Sequence, residues 1–528
     1  MLAQSPLEIR EREIKTEFLL RMGKELDERR SALTRQLEEI SQSLTALWTE
    51  YGVLHNSSIY VNRLPTEILR HIFSFCLTVP RLAGDGYYVY EEERPSTEVV
   101  LSHVCHHWRD IAVNDPLLWR SFRYKTPRWK RNPITRFSTY LERSAPTSMD
   151  LFIHFNLSSH EDMTLLDTAA LQVHRWRRVT IISEDNKFNW AQFQSALRDK
   201  EAAELEYFSF RPSMFVSAHT NSGHVLPVPC LKPKIFTLGA PKLARVHLDS
   251  TVPYFFLPPL SNVSTFSLDA KYIGPSSVTW NAFLDIVALP NLQSLSIGGE
   301  VLLAPTEERL NQPVEAKALK HLRWSGDRDS LHHFLSYLSA PNLETLVLCR
   351  MHLPPRPNHP NASLCLPSLH TLHIIECANL SANYVQFLAS GCPNIKHLST
   401  SYYRPESGHL LSYLNQESEA GRIHWPELQT MTCYVDGTDT VGLYLDFVRA
   451  RKRVNGDRLT LRVSNRLYLL WLTHLPHPFI VLQQECDIVP WTSVADILPS
   501  QWPVGGNVCV SQYDRSSQFN FAVDWNEF

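Results

Sequence analysis

Pro341-Asn342-Leu343-Glu344-Thr345-Leu346-Val347-Leu348 decides the fold, because the pattern it carries is not alone in the chain. Pro-x-Leu-x-x-Leu-x-Leu recurs with drift at Pro241/Leu243/Val246/Leu248, Val263/Phe266/Leu268, Pro290/Leu292/Leu295/Ile297 and Leu319/Leu322/Trp324. It continues at Pro367/Leu369/Leu372/Ile374, Pro393/Ile395/Leu398 and Pro426/Leu428/Met431/Cys433, and successive units start 20 to 33 residues apart. Self-similarity at such a period marks a repeat architecture. The alternating end of each unit has the period of two of a strand. Helical patterns lie between several units, the cleanest being Leu331, Phe334, Leu335 and Leu338 at i, i+3, i+4, i+7. Looser copies flank the set, at Leu205/Phe208/Phe210 and Leu459/Leu461/Val463. Each unit leaves an apolar edge that only its neighbour covers, so stacking is obligatory.

A strand and a helix per unit resembles the leucine-rich repeat proteins. That resemblance implies an α/β solenoid over residues 201–482, with a linker and irregular first repeats at 123–200. It also implies a cap at 483–528, where Trp491, Trp502 and Trp525 would cover the last repeat. The asparagine that ladders the turn after each strand in that family is mostly missing. Eight positions after each first apolar residue stand Thr251, Lys271, Glu300, Asp327, Met351, Cys377, Tyr403 and Asp436, of which only Cys377 suits, so the array is irregular. By the period of two, residues between the inward apolar positions face the concave side. On that face Arg245, His247, Asp249, His321, Arg323, His373, His397 and Tyr434 are the candidates for holding a protein target, expected on an open, solvated surface.

Toward the N-terminus, Asn62-Arg63-Leu64-Pro65-Thr66-Glu67 is a helix start, with Pro65 where a missing N–H costs nothing and Glu67 in the first turn. Leu64, Ile68, Leu69, Ile72, Phe73 and Leu77 follow at helical spacing, and a second helix is expected to carry Leu101, Val104, Cys105, Trp108 and Ile111. A module this small cannot bury all of these by itself. With the closing Asp115-Pro116-Leu117-Leu118-Trp119, the stretch 56–122 resembles a three-helix F-box, and the overall layout is similar to fungal F-box proteins. The resemblance implies docking on a Skp-type adaptor of a cullin–RING ubiquitin ligase. Carried over by position, the adaptor-binding residues are Leu64, Pro65, Ile68, Leu69, Ile72, Leu101, Val104, Trp108, Pro116 and Trp119. One departure is the long acidic, tyrosine-rich connection at 78–98, read as a solvated loop or a segment that masks docking.

Residues 1–55 form a long helix. Leu19, Leu26, Leu33, Ile40, Leu47 and Leu54 recur every seven residues, and Leu37, Leu44 and Tyr51 fill the second seam position over the C-terminal half. This is either a coiled coil that makes a homodimer or one helix packing back on the chain. Two basic runs read as solvated surface rather than nucleic-acid sites: Arg120–Arg136, a linker broken by Pro127 and Pro133, and Arg449–Arg453, the last turn of a helix.

The bulk numbers agree. With 528 residues, 44% hydrophobic and 20% charged, the chain is ordered and has more than one unit. A formal charge of −3 gives no global pull toward nucleic acid or acidic lipid. The longest apolar stretch, Leu467–Leu482, is broken by His474, Pro476, His477 and Pro478, so no membrane span is expected. Ten scattered cysteines lack metal-knuckle spacing and read as buried thiols in a cytoplasmic or nuclear setting. No phosphate loop, dinucleotide fingerprint or nucleophile elbow occurs, so neither a cofactor nor an active site is expected. The expected role is a substrate receptor of an SCF-type ligase, or else a scaffold whose F-box docks weakly and which assembles through its N-terminal helix.

Overall fold

Apolar side chains repeated at one strand position can be buried together only if the strands stand side by side in register. The computed structural model of the chain satisfies that condition. It describes residues 6–78, 96–125, 133–155, 160–183, 190–212, 231–249, 252–269 and 314–326, and most of 278–302, 331–351, 364–401, 411–434 and 441–491. The chain divides into two units, Met1–Phe75 with Pro95–Asn114, and Cys76–Arg94 with Asp115–Phe528.

The first unit is helical. Helix α1 (Pro6–Ser58) is 53 residues long, about 80 Å at 1.5 Å per residue. A 3-10 turn (Tyr60–Arg63) leads to α2 (Thr66–Thr78), whose first turn is closed by Pro65, its carbonyl accepting from the amides of Ile68 and Leu69. Leu69 and Phe73, one turn apart, are fully buried. The single second helix expected over Leu101–Ile111 is instead two, α3 (Thr97–Ser102) and α4 (His106–Val113). Cys105 between them is extended, and its Sγ accepts from the Trp108 amide at 3.4 Å, which caps α4 in the way a serine would. Trp108 then knits the unit. Its ring packs on Phe73 at 4.9 Å and its Nε1 donates to Asn62 Oδ1 at 2.7 Å, while Asn62 Nδ2 donates to the Asn56 carbonyl in α1.

The second unit is mixed α/β, built on one parallel sheet of fourteen strands paired in chain order. The early strands are β1 (Ser121–Lys125), β2 (Met149–Phe155), β3 (Trp176–Ser183) and β4 (Tyr207–Pro212), with α5 (Pro133–Arg143), α6 (His160–Ala170) and α7 (Trp190–Arg198) between them. Then come β5 (Arg245–Asp249), the single turn α8 (Pro253–Phe256), β6 (Thr265–Asp269), α9 (Trp280–Val287) and β7 (Ser294–Gly299). A separate two-stranded pair, β8 (Val314–Glu315) and β10 (Leu338–Ser339), brackets β9 (His321–Gly326) of the main sheet. The sheet continues with β11 (Thr345–Cys349), β12 (Thr371–Ile375), β13 (His397–Ser401) and β14 (Thr430–Tyr434), and ends with β15 (Thr460–Ser464) and β16 (Asp487–Trp491). Helices α10 (Ala382–Gly391), α11 (Val441–Asn455), α12 (Asn465–His474) and α13 (Pro476–Glu485) lie between the last of these.

Register turns the repeated leucines into rows. Val246, Phe266, Leu295, Leu322, Leu346, Leu372, Leu398 and Met431 are successive partners across eight strands. Two residues on, Leu248, Leu268, Ile297, Trp324, Leu348 and Ile374 form a second row. Both rows are buried, and the crossovers cover them: Trp190 and Phe256 pack on Phe210, and Phe283 and Phe334 on Trp324. Helix α9 shows why such a crossover is helical. Thr279 caps it by accepting from the Ala282 amide, and Trp280, Phe283, Ile286 and Val287 put one apolar stripe on the sheet.

Several expectations are corrected. All eight repeats and both flanking copies contribute strands; the sheet also takes in 121–183, where a linker with irregular first repeats was expected, and 487–491, within the expected cap. The basic run from Arg120 contains β1 and the start of α5 rather than a solvated linker. Leu338, placed on a helix by its spacing, lies in the short strand β10, although Leu331, Phe334 and Leu335 are buried as expected. Arg451, expected on a solvated last turn, is 3% exposed and donates to the carbonyls of Trp425 and Leu414. Cys349, Cys377, Cys392 and Cys486 are buried, but Cys76 and Cys365 are exposed. The segment 79–95 within the connection and 492–528 within the C-terminal cap lie outside the described residues.

An asparagine ladder does exist, before the strands instead of after them. Asn262 donates to the Pro241 carbonyl, Asn291 to Ser261, Asn342 to Lys317 and Asn394 to Pro367, at 2.8–3.1 Å. Each amide thus reaches the matching turn of the preceding unit. These bonds are exposed, whereas Trp324 is fully buried between two phenylalanines, so the two kinds of contact should separate in energy. Trp324→Ala is expected to cost about 3–5 kcal/mol, and Asn342→Ala about 0.5–1.5 kcal/mol. Urea unfolding followed by near-ultraviolet circular dichroism measures both, and equal losses would contradict the account of the core.

Candidate functional site

Two surfaces carry the candidate residues, one in each unit. On α2 the apolar side chains divide between two faces. Leu69 and Phe73 point into the unit, whereas Ile68 is 47% exposed, Phe75 is 56% exposed and Ile72 is half-buried between them. Ile68, Ile72 and Phe75 fall at i, i+4, i+7, so they form one stripe. Pro65 is exposed at its start with Leu64 half-buried beside it, and Val100 and Val104 are exposed at the end of α3 and just after it. Phe75 and Val100 were not among the residues singled out from the sequence.

The remaining expected adaptor contacts are placed differently. Leu69, Leu101 and Trp119 are buried and serve the core. Trp108 is half-buried and occupied by Phe73 and Asn62. Pro116 and Trp119 belong to the second unit, in a 3-10 turn capped by Asp115, whose carboxylate accepts from the Leu117 amide. There the Trp119 ring meets Tyr140 edge-on at 5.2 Å and carries the Arg143 guanidinium 4.3 Å above it. That tryptophan anchors α5 to the beginning of the sheet.

The second surface is the polar face of the sheet. Between the apolar rows run Arg245, Thr265, Ser294, His321, Thr345, Thr371 and His397, then His247, Ser267, Ser296, Arg323, Val347 and His373. An open, solvated face was expected, yet His247, Asp249, His321, Arg323 and His373 are only 2–7% exposed. Strands lie about 4.8 Å apart, so equivalent side chains on neighbouring strands stack and shield one another. Arg245 is half-buried and His397 exposed; Tyr434 closes β14, and its side chain lies outside the described residues.

Burial makes the charges on this face collective. Asp269 on β6 receives His247 Nε2 at 2.5 Å and lies 3.9 Å from an Arg323 nitrogen. Burial pushes its carboxyl up, but His247, Arg323 and Arg211 outweigh that and hold it down at about 2. Gly298, its register partner on β7, makes the arrangement possible: a Cβ there would come within van der Waals contact of the carboxylate. His373 is the opposite case. Burial, reinforced by His397, lowers it to about 4, so it stands neutral, and its Nδ1 has no hydrogen-bond partner among the described residues.

Asp150, which the sequence did not point to, anchors another group at the other end of the sheet. Arg177 Nε donates to its Oδ1 at 2.9 Å, and Arg178 donates to its Oδ2 at 2.6 Å. The cause is local. The β2–β3 register shifts between Met149 and Asp150, so two consecutive arginines face one carboxylate. Among the described residues no group of three or more His, Cys, Asp and Glu side chains could hold a metal ion, and no helix is long and apolar enough to cross a membrane.

No protein-family model matches the chain, and no curated protein matches it.

The depressed Asp269 pKa sets a pH dependence. A carboxyl lower in the folded state than its ordinary 3.8 stabilises the fold above about pH 4, and that contribution drains away as pH falls toward about 2. Asp269→Asn is therefore expected to be less stable than the native chain at pH 7, with the gap narrowing between pH 4 and pH 2. Urea midpoints of both proteins across that range measure it; a gap constant with pH would show that the carboxylate charge is not what the cluster uses.

Proposed function

We propose that the chain is a substrate receptor of an SCF-type cullin–RING ubiquitin ligase. In this reading α2–α4 form an F-box that docks a Skp-type adaptor, and the second unit is a leucine-rich-repeat-like solenoid whose polar face recruits a protein target. The observation that carries it is the Ile68–Ile72–Phe75 stripe following Leu64-Pro65, together with the exposure of Val100 and Val104 in the same unit. Burying the exposed half of five such side chains contributes about 4–8 kcal/mol. That offsets the lower part of the association cost, about 4–15 kcal/mol, so Leu64, Pro65 and polar contacts at the rim must add to it. The chain itself performs no chemistry here. It raises the local concentration of a target beside a charged conjugating enzyme, and proximity supplies the rate.

The set of adaptor contacts is narrower than position-by-position transfer implied: Leu64, Pro65, Ile68, Ile72, Phe75, Val100 and Val104. Co-purification with a Skp-type adaptor tests the reading. Ile68→Glu/Val104→Glu is expected to weaken capture at least tenfold without altering thermal stability, whereas Leu69→Ala should lower stability. Absence of capture by the native chain, or equal capture by the double variant, overturns the proposal.

A second reading, a non-catalytic scaffold assembled through α1, is favoured by one observation. Leu19, Leu26, Leu33, Leu37, Ile40, Leu44, Leu47 and Leu54 are each 50–67% exposed, so the chain does not cover its own heptad seam. It predicts a dimer in sedimentation equilibrium that Leu37→Asp/Leu44→Asp converts to a monomer, and no cullin in pull-downs. A native chain that sediments as a monomer at micromolar concentration rules it out.

A further inference from the structure

The first strands of the sheet gather more positive charge than they neutralise. Arg120 precedes β1, Arg177 and Arg178 lie on β3, and Arg245 opens β5. Asp150 and Glu206 are the carboxylates in electrostatic range of this group. Four guanidiniums against two carboxylates leave two positive charges. The Asp150 side chain is 1% exposed and its oxygens are already engaged by Arg177 and Arg178. The guanidiniums of Arg120 and Arg245 have no hydrogen bond or ion pair among the described residues, although both are half-buried. Burial is the largest cause that lowers the pKa of each; Arg177 and Arg178 lower Arg120 further and Arg178 lowers Arg245, with Asp150, Glu206 and Tyr207 acting in the opposite sense without reversing the shift. Cations held together out of bulk water without acceptors are a standing cost that an anionic ligand removes.

We propose that this arginine row on β1–β5 binds an acidic segment of a protein partner through its oxyanions, a deepening that rests on the reading of the polar face as the target-recruiting surface. The spacing points to a segment and not a single ion. Arg120 and Arg245 are four strand spacings apart, about 19 Å, with Arg178 in the middle. An extended peptide of roughly six residues covers that span. Arginine suits the task, because its planar fork pairs with carboxylate or phosphate oxygens two at a time. Nucleic acid fits less well. Tyr207, the aromatic in this row, is 5% exposed and offers no stacking platform, and the chain's net charge of −3 does not steer a polyanion toward it.

The test uses the purified full-length chain and fluorescence anisotropy with four labelled probes: octaglutamate, an alternating phosphoserine–glycine octapeptide, octaserine, and a twelve-nucleotide oligothymidylate. Expected are binding of at least one anionic peptide, weakening with added salt, no binding of octaserine, and a tenfold or greater loss in Arg120→Ala/Arg245→Ala. Neither guanidinium ties down another described residue, so the fold should survive. Arg245→Gln alone, with an expected loss of threefold or more, decides the matter if the double variant does not fold. The stronger of the two anionic peptides identifies the oxyanion as carboxylate or phosphate. Binding of neither peptide, binding of the oligonucleotide alone, or equal binding by the variants overturns the proposal. No adaptor is present in the assay, so a failure of adaptor capture and a failure here are read separately.

Discussion

The constraint on which the second unit depends is that a parallel strand can reach its neighbour only through a crossover, and each crossover must cover the strand it leaves. Chain-order pairing of fourteen strands repeats that requirement thirteen times. Most strands therefore carry two apolar residues separated by one, at the same height as their neighbours'; in β13 the second position holds a buried Thr400. This is why drift is tolerated in identity but not in position. Trp324 can stand where others have leucine or isoleucine because Phe283 and Phe334 are placed to meet it, and its register with Ile297 and Leu348 is unchanged.

The same register governs the polar face. Because equivalent residues stack, a charge on one strand is felt on the next two. Asp269 reaches His247 one strand back and Arg323 two strands forward only because Gly298 leaves the intervening position empty. At β3 an extra residue places Arg177 beside Arg178, which saturates Asp150 and leaves Glu206 as the other carboxylate in range of Arg120 and Arg245. One carboxylate group is thus closed on itself and the other is surrounded by surplus cation. The difference between the two clusters comes from a glycine in one place and a register shift in the other.

What was legible in the sequence follows from this. Rows made of leucine at a constant spacing could be read directly, so the strands from β5 to β14 stood out. Strands β1–β3 use Phe122 and Tyr124, Leu151 and Ile153, Val179 and Ile181, with the same alternation but no Pro-x-Leu lead-in, so the sequence shows there only a linker and irregular first repeats. Asn342 and its equivalents sat in plain view inside the motif, but their partner carbonyls belong to another unit some twenty-five residues away. Burial of His247, Arg323 and His373 was hidden for a similar reason: shielding by a neighbouring strand is a property of register. The burial of Trp119 was not legible because what packs on it, Tyr140 and Arg143, lies on a helix that no local signal connects to it.

The helical unit poses the opposite problem, an apolar surface left open. Single exposed hydrophobic residues are ordinary and need no explanation. Ile68, Ile72 and Phe75 are not scattered; they continue one face of a helix whose other face is already full with Leu69 and Phe73. Trp108, which could have swung to cover them, is committed by its hydrogen bond to Asn62 and its contact with Phe73. Among the described residues the stripe therefore stays at least partly exposed, with Phe75 edge-on to His71 at 4.7 Å. A helix held rigidly with its second apolar face outward loses little conformational freedom on meeting a partner, and that preorganisation lowers the cost of docking.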